Sequence, residues 1–514
     1  MSNMIISVTP DLALDEGYTY AGGMGVLEGD KFYGAAKLGL PYKALTLFYR
    51  NGYVDYEFDE EGNPIPKPQE QPREFLDNLK SEGVLKVRLK GEEVKVEVLK
   101  YTHGTAEAVF FNPVEPEWAY HLTDRIYIER DEEEKFYKYT LLAKASAEYI
   151  KQYVGVENVN YIDLQEAYAG ILPLILRLPG RYRLVIHTPG PWGHPSFPRE
   201  FFEREFNYRF ISPQVCLTEV GLAMSAEAFT VSAKQFDVMS EIIPHFTEKL
   251  RYVTNGVNIE RWMDHRLRET YESGQLYLDN FIKIREQIKE EFTDFLRMYK
   301  DDVDVGDRLT VAWCRRLVPY KRPEFVVKAV NDLPSEDVFF VIAGKAHPYN
   351  GAGLEYMKIF RKLHMERDNV VYIPDYTVQK AKVILKSVDL LLFTPFPGWE
   401  ACGTSYMKAA INGIPTLASP EGGVIEFVVD NVNGWLFGKD IREMVEPNSE
   451  RGREINEAEY AEFRDKLRKI VKISDENVEL YYKVSMNALT TFVPRVGIER
   501  VLREYYPQLV KVRH

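Results

Sequence analysis

The chain has 514 residues, 45% of them hydrophobic and 13% aromatic, which is too long for one ordinary core and rich enough in apolar material to pack two. Its formal net charge of −13 disfavours a nucleic-acid partner, because neutralising a phosphate backbone needs a basic face. Three cysteines, Cys216, Cys314 and Cys402, lie far apart with no CxxC pair, which argues against a disulfide framework and a cysteine-built zinc site, so no metal is expected.

Taken in order, the N-terminal MIISVTP is strand-like and carries no basic-then-apolar leader pattern. No run approaches about 18 uninterrupted apolar residues, so a cytoplasmic protein without a membrane partner is expected. AGGMGVLEGD, Ala21 to Asp30, is a glycine loop that fits neither the dinucleotide nor the P-loop spacing. From residue 55 to 107 a polar loop precedes alternating residues that predict a β-hairpin at about 84–102 with KGE as its turn. That hairpin either shapes the rim of a cleft or decorates the surface. KYTLLAKASAEYIKQYV and ILPLILRL read as helices, and YRLVIHTP and AFTVS as buried strands. His187 follows the first of these strands, with His194 a competing candidate in the same loop.

A domain boundary is placed near Val253, and a charged helical stretch spans roughly Asn280 to Lys300. Beyond it strand and helix alternate cleanly: RLTVAWC then PEFVVKAVNDL, DVFFVIAG then LEYMKIFRKLHM, NVVYIP then VQKAKVILKSV, DLLLFTP then the helix carrying Met407 and Lys408. The expected fold class is α/β, with two doubly wound Rossmann-like domains facing a central cleft. The N-terminal domain is 1–252 with its inserted hairpin, the C-terminal domain is 253–480, and the helices of 481–514 pack back on the first domain.

Two segments carry chemistry. In TPFPGWEACGTSYMKAAING a buried strand leads to a loop bearing Glu400, and a helix begins near Thr404. The amides of Gly403, Thr404 and Ser405 then lie at a helix N-terminus, where unpaired N–H groups favour an anion, and Lys408 lies about one turn farther in. By spacing alone Lys408 reads more readily as a solvated helix residue than as a site residue. In WCRRLVPYKRPEF, Arg315 and Arg316 close a strand while Lys321 and Arg322 open the next helix. Guanidiniums beside an ammonium can hold two phosphate dianions that otherwise repel each other, whereas a lone basic run is usually surface.

EACGTSYMKAAING, through Glu400, Gly403, Thr404, Met407 and Lys408, resembles the glycogen and maltodextrin phosphorylase segment whose lysine forms a Schiff base with pyridoxal phosphate. The match continues in family order through the glycine loop, IHTPGPWGHPSFP, VTNGVNIERW, the basic run, AGKAHP, DYTVQKAKVILKSVD and PEGGVIE. The chain thus resembles a short, archaeal-type form of the α-glucan phosphorylase family. The resemblance implies a GT-B type glycosyltransferase, and a cofactor site of Lys408, Arg315, Tyr376, Gly403, Thr404, Ser405 and Tyr406. It assigns catalysis to His187, Arg316, Lys321, Glu400 and Lys408. Substrate binding falls to Gly22, Gly23, Met24, Gly25, Asn255, Gly422, Gly423 and Glu421, with Glu426 an alternative to Glu421. The implied reaction is reversible phosphorolysis of α-1,4-glucan (glycogen or maltodextrin) by inorganic phosphate, giving glucose 1-phosphate with retention. The cofactor phosphate would act as the acid–base group.

The chain departs from the family in three places: Arg315 stands where lysine is usual, Tyr406 where a small residue or asparagine is favoured, and Tyr168 where histidine is common. It lacks the long extensions of animal and plant phosphorylases; a homodimer, common in the family, is left open. The rival reading is a glycogen or starch synthase-like retaining transferase, with Arg316 and Lys321 on the diphosphate of a nucleotide sugar and Glu400 on its glucose. A non-catalytic glucan binder would have no need for paired-phosphate electrostatics.

Overall fold

The computed structural model describes residues 3–510. The chain forms two compact units, the first containing residues up to Val54, Pro68–Thr254 and the chain from Ile498, the second containing Asp55–Lys67 and Asn255–Gly497.

Unit 1 is built on a nine-stranded sheet. Its strands are β1 (Met4–Val8), β2 (Tyr42–Leu47), β3 (Lys80–Leu89), β4 (Glu92–His103), β5 (Ala106–Glu115), β6 (Val159–Gln165), β7 (Tyr182–Val185), β8 (Glu227–Thr230) and β9 (Leu250–Tyr252). They lie in the order β9-β8-β7-β6-β1-β2-β5-β4-β3. The pairs from β9 through β5 are parallel, and their central strands are apolar and buried on both faces, as a helix-covered parallel sheet requires. The chain leaves β1 toward β2 on one side and later resumes at β6 on the other. The ends of β1 and β6 therefore mark the point where strand order reverses, the usual ligand position in an open α/β sheet.

The expected hairpin is β3–β4, joined at Lys90 and Gly91 with φ of 52° and 78°, the positive pair of a two-residue type I′ turn. It is longer than read from sequence and continues antiparallel into β5, so it is the edge of the main sheet rather than a detached ornament. α1 (Gly23–Lys37) follows β1, and α2 (Glu132–Tyr149) starts where the Asp131 carboxylate accepts from the Glu134 amide at 2.8 Å. ILPLILRL, expected to be helical, makes only the single turn Leu172–Ile175. Pro179 bars Leu178 from helical geometry and cuts the run short.

Unit 2 has a six-stranded, wholly parallel sheet: β10 (Leu309–Cys314), β11 (Val338–Ala343), β12 (Val370–Ile373), β13 (Leu390–Phe393), β14 (Thr416–Ala418) and β15 (Trp435–Leu436). Their order is β12-β11-β10-β13-β14-β15, so strand order reverses between β10 and β13. Every residue of β10 and β11 is buried, and Trp313, Phe340, Ile342, Phe360 and Leu392 sit in one apolar cluster. The charged stretch expected near Asn280 is α3 (Leu278–Arg297), which buries Phe281, Ile288, Phe292 and Leu296 along one stripe.

Two segments fall differently from the sequence reading. Asp55–Lys67, read as a loop of the first half, is a small antiparallel hairpin of unit 2, tied by Tyr56 Oη to Ala346 O at 2.8 Å and by Lys358 Nζ to Asn63 Oδ1 at 2.7 Å. The return to unit 1, expected from 481, begins at Ile498. Helix Val478–Val496 stays with unit 2 because Tyr481 and Val484 belong to its apolar cluster. Helix Ile498–Tyr505 instead buries Ile498, Val501, Leu502 and Tyr505. Beneath it the Arg183 guanidinium donates to Asp163 at 2.7 Å and to the Tyr505 carbonyl at 2.7 Å. Among the described residues no helix is long and apolar enough to cross a membrane.

Candidate active site

On unit 2 the carboxyl ends of β10 and β13 gather the basic run and Glu400. Arg315, directly after β10, is 6% exposed and donates from Nη2 to Glu400 Oε2 at 2.7 Å, with its guanidinium 4.1 Å from the Phe393 ring centroid. The other nitrogen, Nη1, is buried and has no hydrogen-bond partner. Gly344 makes this turn possible: with φ at 141° it lies against the strand end, and a Cβ there would stand 1.8 Å from the Arg315 carbonyl oxygen.

Lys321 lies in the same cluster, and its pKa is pushed down to about 7 by burial first and by Arg315 and Arg316 next, against the pull of Glu400. Burial alone would raise Glu400, but Arg315, Lys321 and Arg316 outweigh it and hold the carboxyl below its ordinary value. Three cationic side chains thus share one carboxylate, and the local charge calls for an anion. Arg322, next in the same basic run, is a structural tie. At φ of 54° and 1% exposed, it donates to the carbonyls of Thr394 and Pro395 at 2.7 and 2.9 Å and pairs with Glu459 at 2.6 Å. That clamp fixes the loop after β10 to the loop after β13.

The helix expected near Thr404 is α4 (Ser405–Ala410), a short element with Thr404 as N-cap residue and Gly403 just before it at positive φ. Lys408 is 7% exposed and its amine lies 4.1 Å from the Trp262 ring centroid, so it is no solvated surface lysine. Tyr406 faces the other way. It is wholly buried, edge-on to Phe393 and Phe492 at 5.1 and 6.4 Å, with its hydroxyl 3.7 Å from Cys402 Sγ. Its side chain is a core element under the loop rather than a wall of the edge.

PEGGVIE needs a similar correction. The Gly423 amide, expected to be offered to a sugar hydroxyl, donates to Cys402 O at 3.1 Å, and the Glu421 carboxylate, fully buried, accepts from the Gly398 amide at 2.8 Å. These two groups brace the Glu400 loop. Gly422, between them, is buried in the same turn, and Glu426 on the following helical turn is half-buried. Asn255 is buried at the start of unit 2, and Tyr376, half-buried, follows β12 at the same sheet edge.

On unit 1 the corresponding edge carries carboxyls instead of guanidiniums. The glycine loop enters α1 with Gly22 as N-cap residue; Gly23 is exposed, while Gly22 and Met24 are half-buried. Gly25 is required by close approach, since a Cβ there would stand 2.5 Å from Asp11 Oδ2. Asp11, 1% exposed beyond β1, accepts from the Ala21 amide at 3.0 Å and the Tyr127 hydroxyl at 2.9 Å.

Glu166, directly after β6, is 3% exposed and adopts φ of 68°, a left-handed conformation that costs a non-glycine residue about 1–3 kcal/mol. Its carboxyl accepts from the His187 amide at 3.2 Å and meets the Thr188 hydroxyl at 2.6 Å. Burial pushes its pKa up to about 8; the bonds to Thr188 and His187 draw it down, and Asp11 adds to the rise.

His187 Nε2 pairs with Gln165 Oε1 at 2.7 Å; Gln165 Nε2 donates to Ser7 Oγ at 3.0 Å, and Ser7 donates to Glu28 at 2.8 Å. This run of bonds places the imidazole proton on Nε2. Burial, followed by Lys31, lowers the His187 pKa to about 3, so the ring is neutral. His194 is held elsewhere, with Nδ1 2.7 Å from the Thr218 hydroxyl. Asp11 and Glu166 escaped the sequence reading, although each is an acid just beyond an apolar strand, the signal that singled out Glu400.

The family model described as Glycosyl transferases group 1 matches residues 300–447, which include Arg315, Arg316, Lys321, Glu400 and Lys408. The maltodextrin phosphorylase of Thermococcus litoralis is 23% identical across 95% of this chain and 68% of its own length. The glycogen phosphorylase of Aquifex aeolicus is 25% identical across 98% and 85%. An uncharacterized protein of Methanocaldococcus jannaschii is 22% identical across 96% of both chains. Over nearly its whole length the chain is therefore similar to maltodextrin and glycogen phosphorylases, and part of its second unit matches the group 1 glycosyl transferase model.

Proposed function

We propose that the protein is an α-glucan phosphorylase that transfers a terminal glucosyl unit from an α-1,4-glucan to inorganic phosphate, with retention. The observation that carries this reading is the cluster of Arg315, Arg316 and Lys321 around the single carboxylate of Glu400, with a buried guanidinium nitrogen of Arg315 lacking a partner. A phosphate dianion supplies the missing charge and acceptors. In the reaction the bond from the anomeric carbon to the glycosidic oxygen breaks and a bond to a phosphate oxygen forms. A proton passes from phosphate to the departing glucan hydroxyl, and positive charge on the sugar ring is stabilised by the held phosphate. Glu400 orients the cations, and the His187 loop of unit 1 is the segment expected to offer main-chain groups to glucan.

Pyridoxal phosphate fits the residues present. Lys408 offers a primary amine removed from water against Trp262, and Arg315 offers an unsatisfied donor for an anion. Lys408 would tether the cofactor and Arg315 and the turn at Gly403–Ser405 would hold its phosphate, with Tyr376 alongside. When bound, the cofactor supplies a phosphate group able to exchange a proton with a second phosphate. Purified protein is expected to show the near-ultraviolet absorption of bound pyridoxal phosphate and to release glucose 1-phosphate from maltodextrin only with phosphate present. Lys408→Ala is expected to lose both.

The group 1 glycosyl transferase match at residues 300–447 favours one second reading, a retaining transferase in which Arg316 and Lys321 bind the diphosphate of a nucleotide sugar. Colourless protein that extends a glucan from a nucleotide sugar, and ignores inorganic phosphate, would establish it in place of the first.

A further inference from the structure

Glu166 combines features that no packing role requires. A non-glycine residue is held at φ of 68° at the end of a buried strand, beside the point where strand order reverses. It reaches the neighbouring strand end three times: its amide donates to Val185 O at 2.8 Å, its Oε1 accepts from the His187 amide at 3.2 Å, and its Oε2 lies 2.6 Å from Thr188 Oγ1. The charged group that adds to the rise of its pKa is Asp11 from the loop after β1.

We infer that Glu166 is a positioning residue, a clamp whose carboxyl fixes the backbone at His187 and Thr188 and so presents that loop to the sugar. The inference rests on the reading that unit 1 binds glucan through the His187 loop, and it adds the residue that holds the loop in place. Tertiary context must over-determine a left-handed backbone for it to persist, and such positions concentrate where a side chain has to be aimed. An alanine at 166 would keep the awkward turn and lose both side-chain bonds. Glutamine has the shape of the acid, with one oxygen to accept from the His187 amide and an N–H group that bonds Thr188 Oγ1 once that hydroxyl, a donor in the wild type, turns to accept.

Two opposed influences set its protonation. Burial and Asp11 favour the neutral acid, while the Thr188 hydroxyl, which donates to Oε2, and the His187 amide favour the carboxylate, and the balance leaves the pKa at about 8. The groups around it are Asp11, bonded to Tyr127; the neutral imidazole of His187, next to Lys31; and Thr188. As pH rises through about 8 the carboxyl ionises toward the like charge of Asp11 and remains an acceptor for Thr188 and His187, so the clamp holds in both protonation states.

Amide hydrogen exchange on the full chain tests the clamp without needing turnover. Exchange at His187 and Thr188 should quicken at least tenfold in Glu166→Ala, stay near wild type in Glu166→Gln, and quicken to a lesser degree in Thr188→Val. Unchanged protection in Glu166→Ala overturns the inference, and if that variant does not fold, unchanged protection in Thr188→Val does so. Maltopentaose affinity by calorimetry should fall at least tenfold in Glu166→Ala. Glu166→Gln should restore that affinity to near the wild-type value, a rescue that separates loss of the clamp from general loss of packing. Affinity in Glu166→Gln as low as in Glu166→Ala also overturns it. Absent phosphorolysis with the exchange pattern intact would instead count against the phosphorylase reading.

Discussion

The two strand-order reversals of this protein sit in equivalent places in their sheets and carry opposite chemistry. Between β10 and β13 of unit 2, Arg315, Arg316 and Lys321 crowd around Glu400, and the strain of the cluster shows in a lysine whose pKa has fallen to about 7. Between β1 and β6 of unit 1, Asp11 and Glu166 stand near a neutral His187, and the strain shows in a carboxyl whose pKa has risen to about 8. An excess of positive charge recognises phosphate, while neutral acids, carboxylates and amides recognise hydroxyls. On the proposed function, one fold used twice yields one edge for an anion and one for a polyol, and what differs is the few residues just beyond the strands.

The comparison breaks most sharply at Gly344. A Cβ there would meet the Arg315 carbonyl at 1.8 Å in a backbone that only glycine adopts readily. Gly344→Ala is expected to cost at least about 3 kcal/mol of stability, read as a lower unfolding midpoint in urea, together with loss of phosphate binding. Arg316→Ala removes one of the three cations without uncovering a buried partner for Glu400. It should lower kcat/KM for phosphate about 100-fold, roughly 2.7 kcal/mol, while leaving KM for glucan nearly unchanged. Equal loss on both substrates would show that the two edges do not divide their tasks.

A smaller effect on the opposite edge is expected from Gly25→Ala, whose methyl would press on Asp11 Oδ2. A destabilisation of about 1–3 kcal/mol, with glucan affinity reduced and phosphate affinity retained, would sharpen the division. Smaller still, but diagnostic of electrostatics, is a proton count. In the free protein Lys321 is mostly neutral above pH 7, and a bound dianion raises its pKa again, so phosphate binding at pH 8 should take up about one proton. Calorimetry in two buffers of different ionisation enthalpy reads this uptake directly, and Lys321→Met should abolish it. His187, finally, should show no imidazole titration by NMR between pH 5 and 8, because its pKa lies near 3.

Much of unit 2 was legible because a wholly parallel sheet writes each strand as an unbroken apolar run, and the alternation with helices leaves little freedom in topology. The same regularity places Arg315, Lys321 and Glu400 just after strands of that sheet in the sequence itself. Unit 1 was less legible. Its antiparallel edge extends the sheet beyond the expected hairpin, ILPLILRL collapses to one turn, and its acids lie at strand ends that the sequence does not mark as neighbours.

By itself the sequence determined the α/β class, the approximate place where the chain passes from one half to the other, the basic run beside Glu400, and the likeness of the Lys408 segment to the phosphorylases. Those features are local, since each is set by the period of apolar residues or by a few consecutive side chains. Only the tertiary structure decided which charges have partners. It separated Arg315, with a nitrogen left over, from Arg322, consumed by Glu459 and two carbonyls; it turned Tyr406 and Glu421 into core braces; and it drew Glu166 to His187. The reason is physical: burial and pairing depend on residues distant in the chain, and the ionisation and availability of each group follow from that environment rather than from its neighbours in sequence.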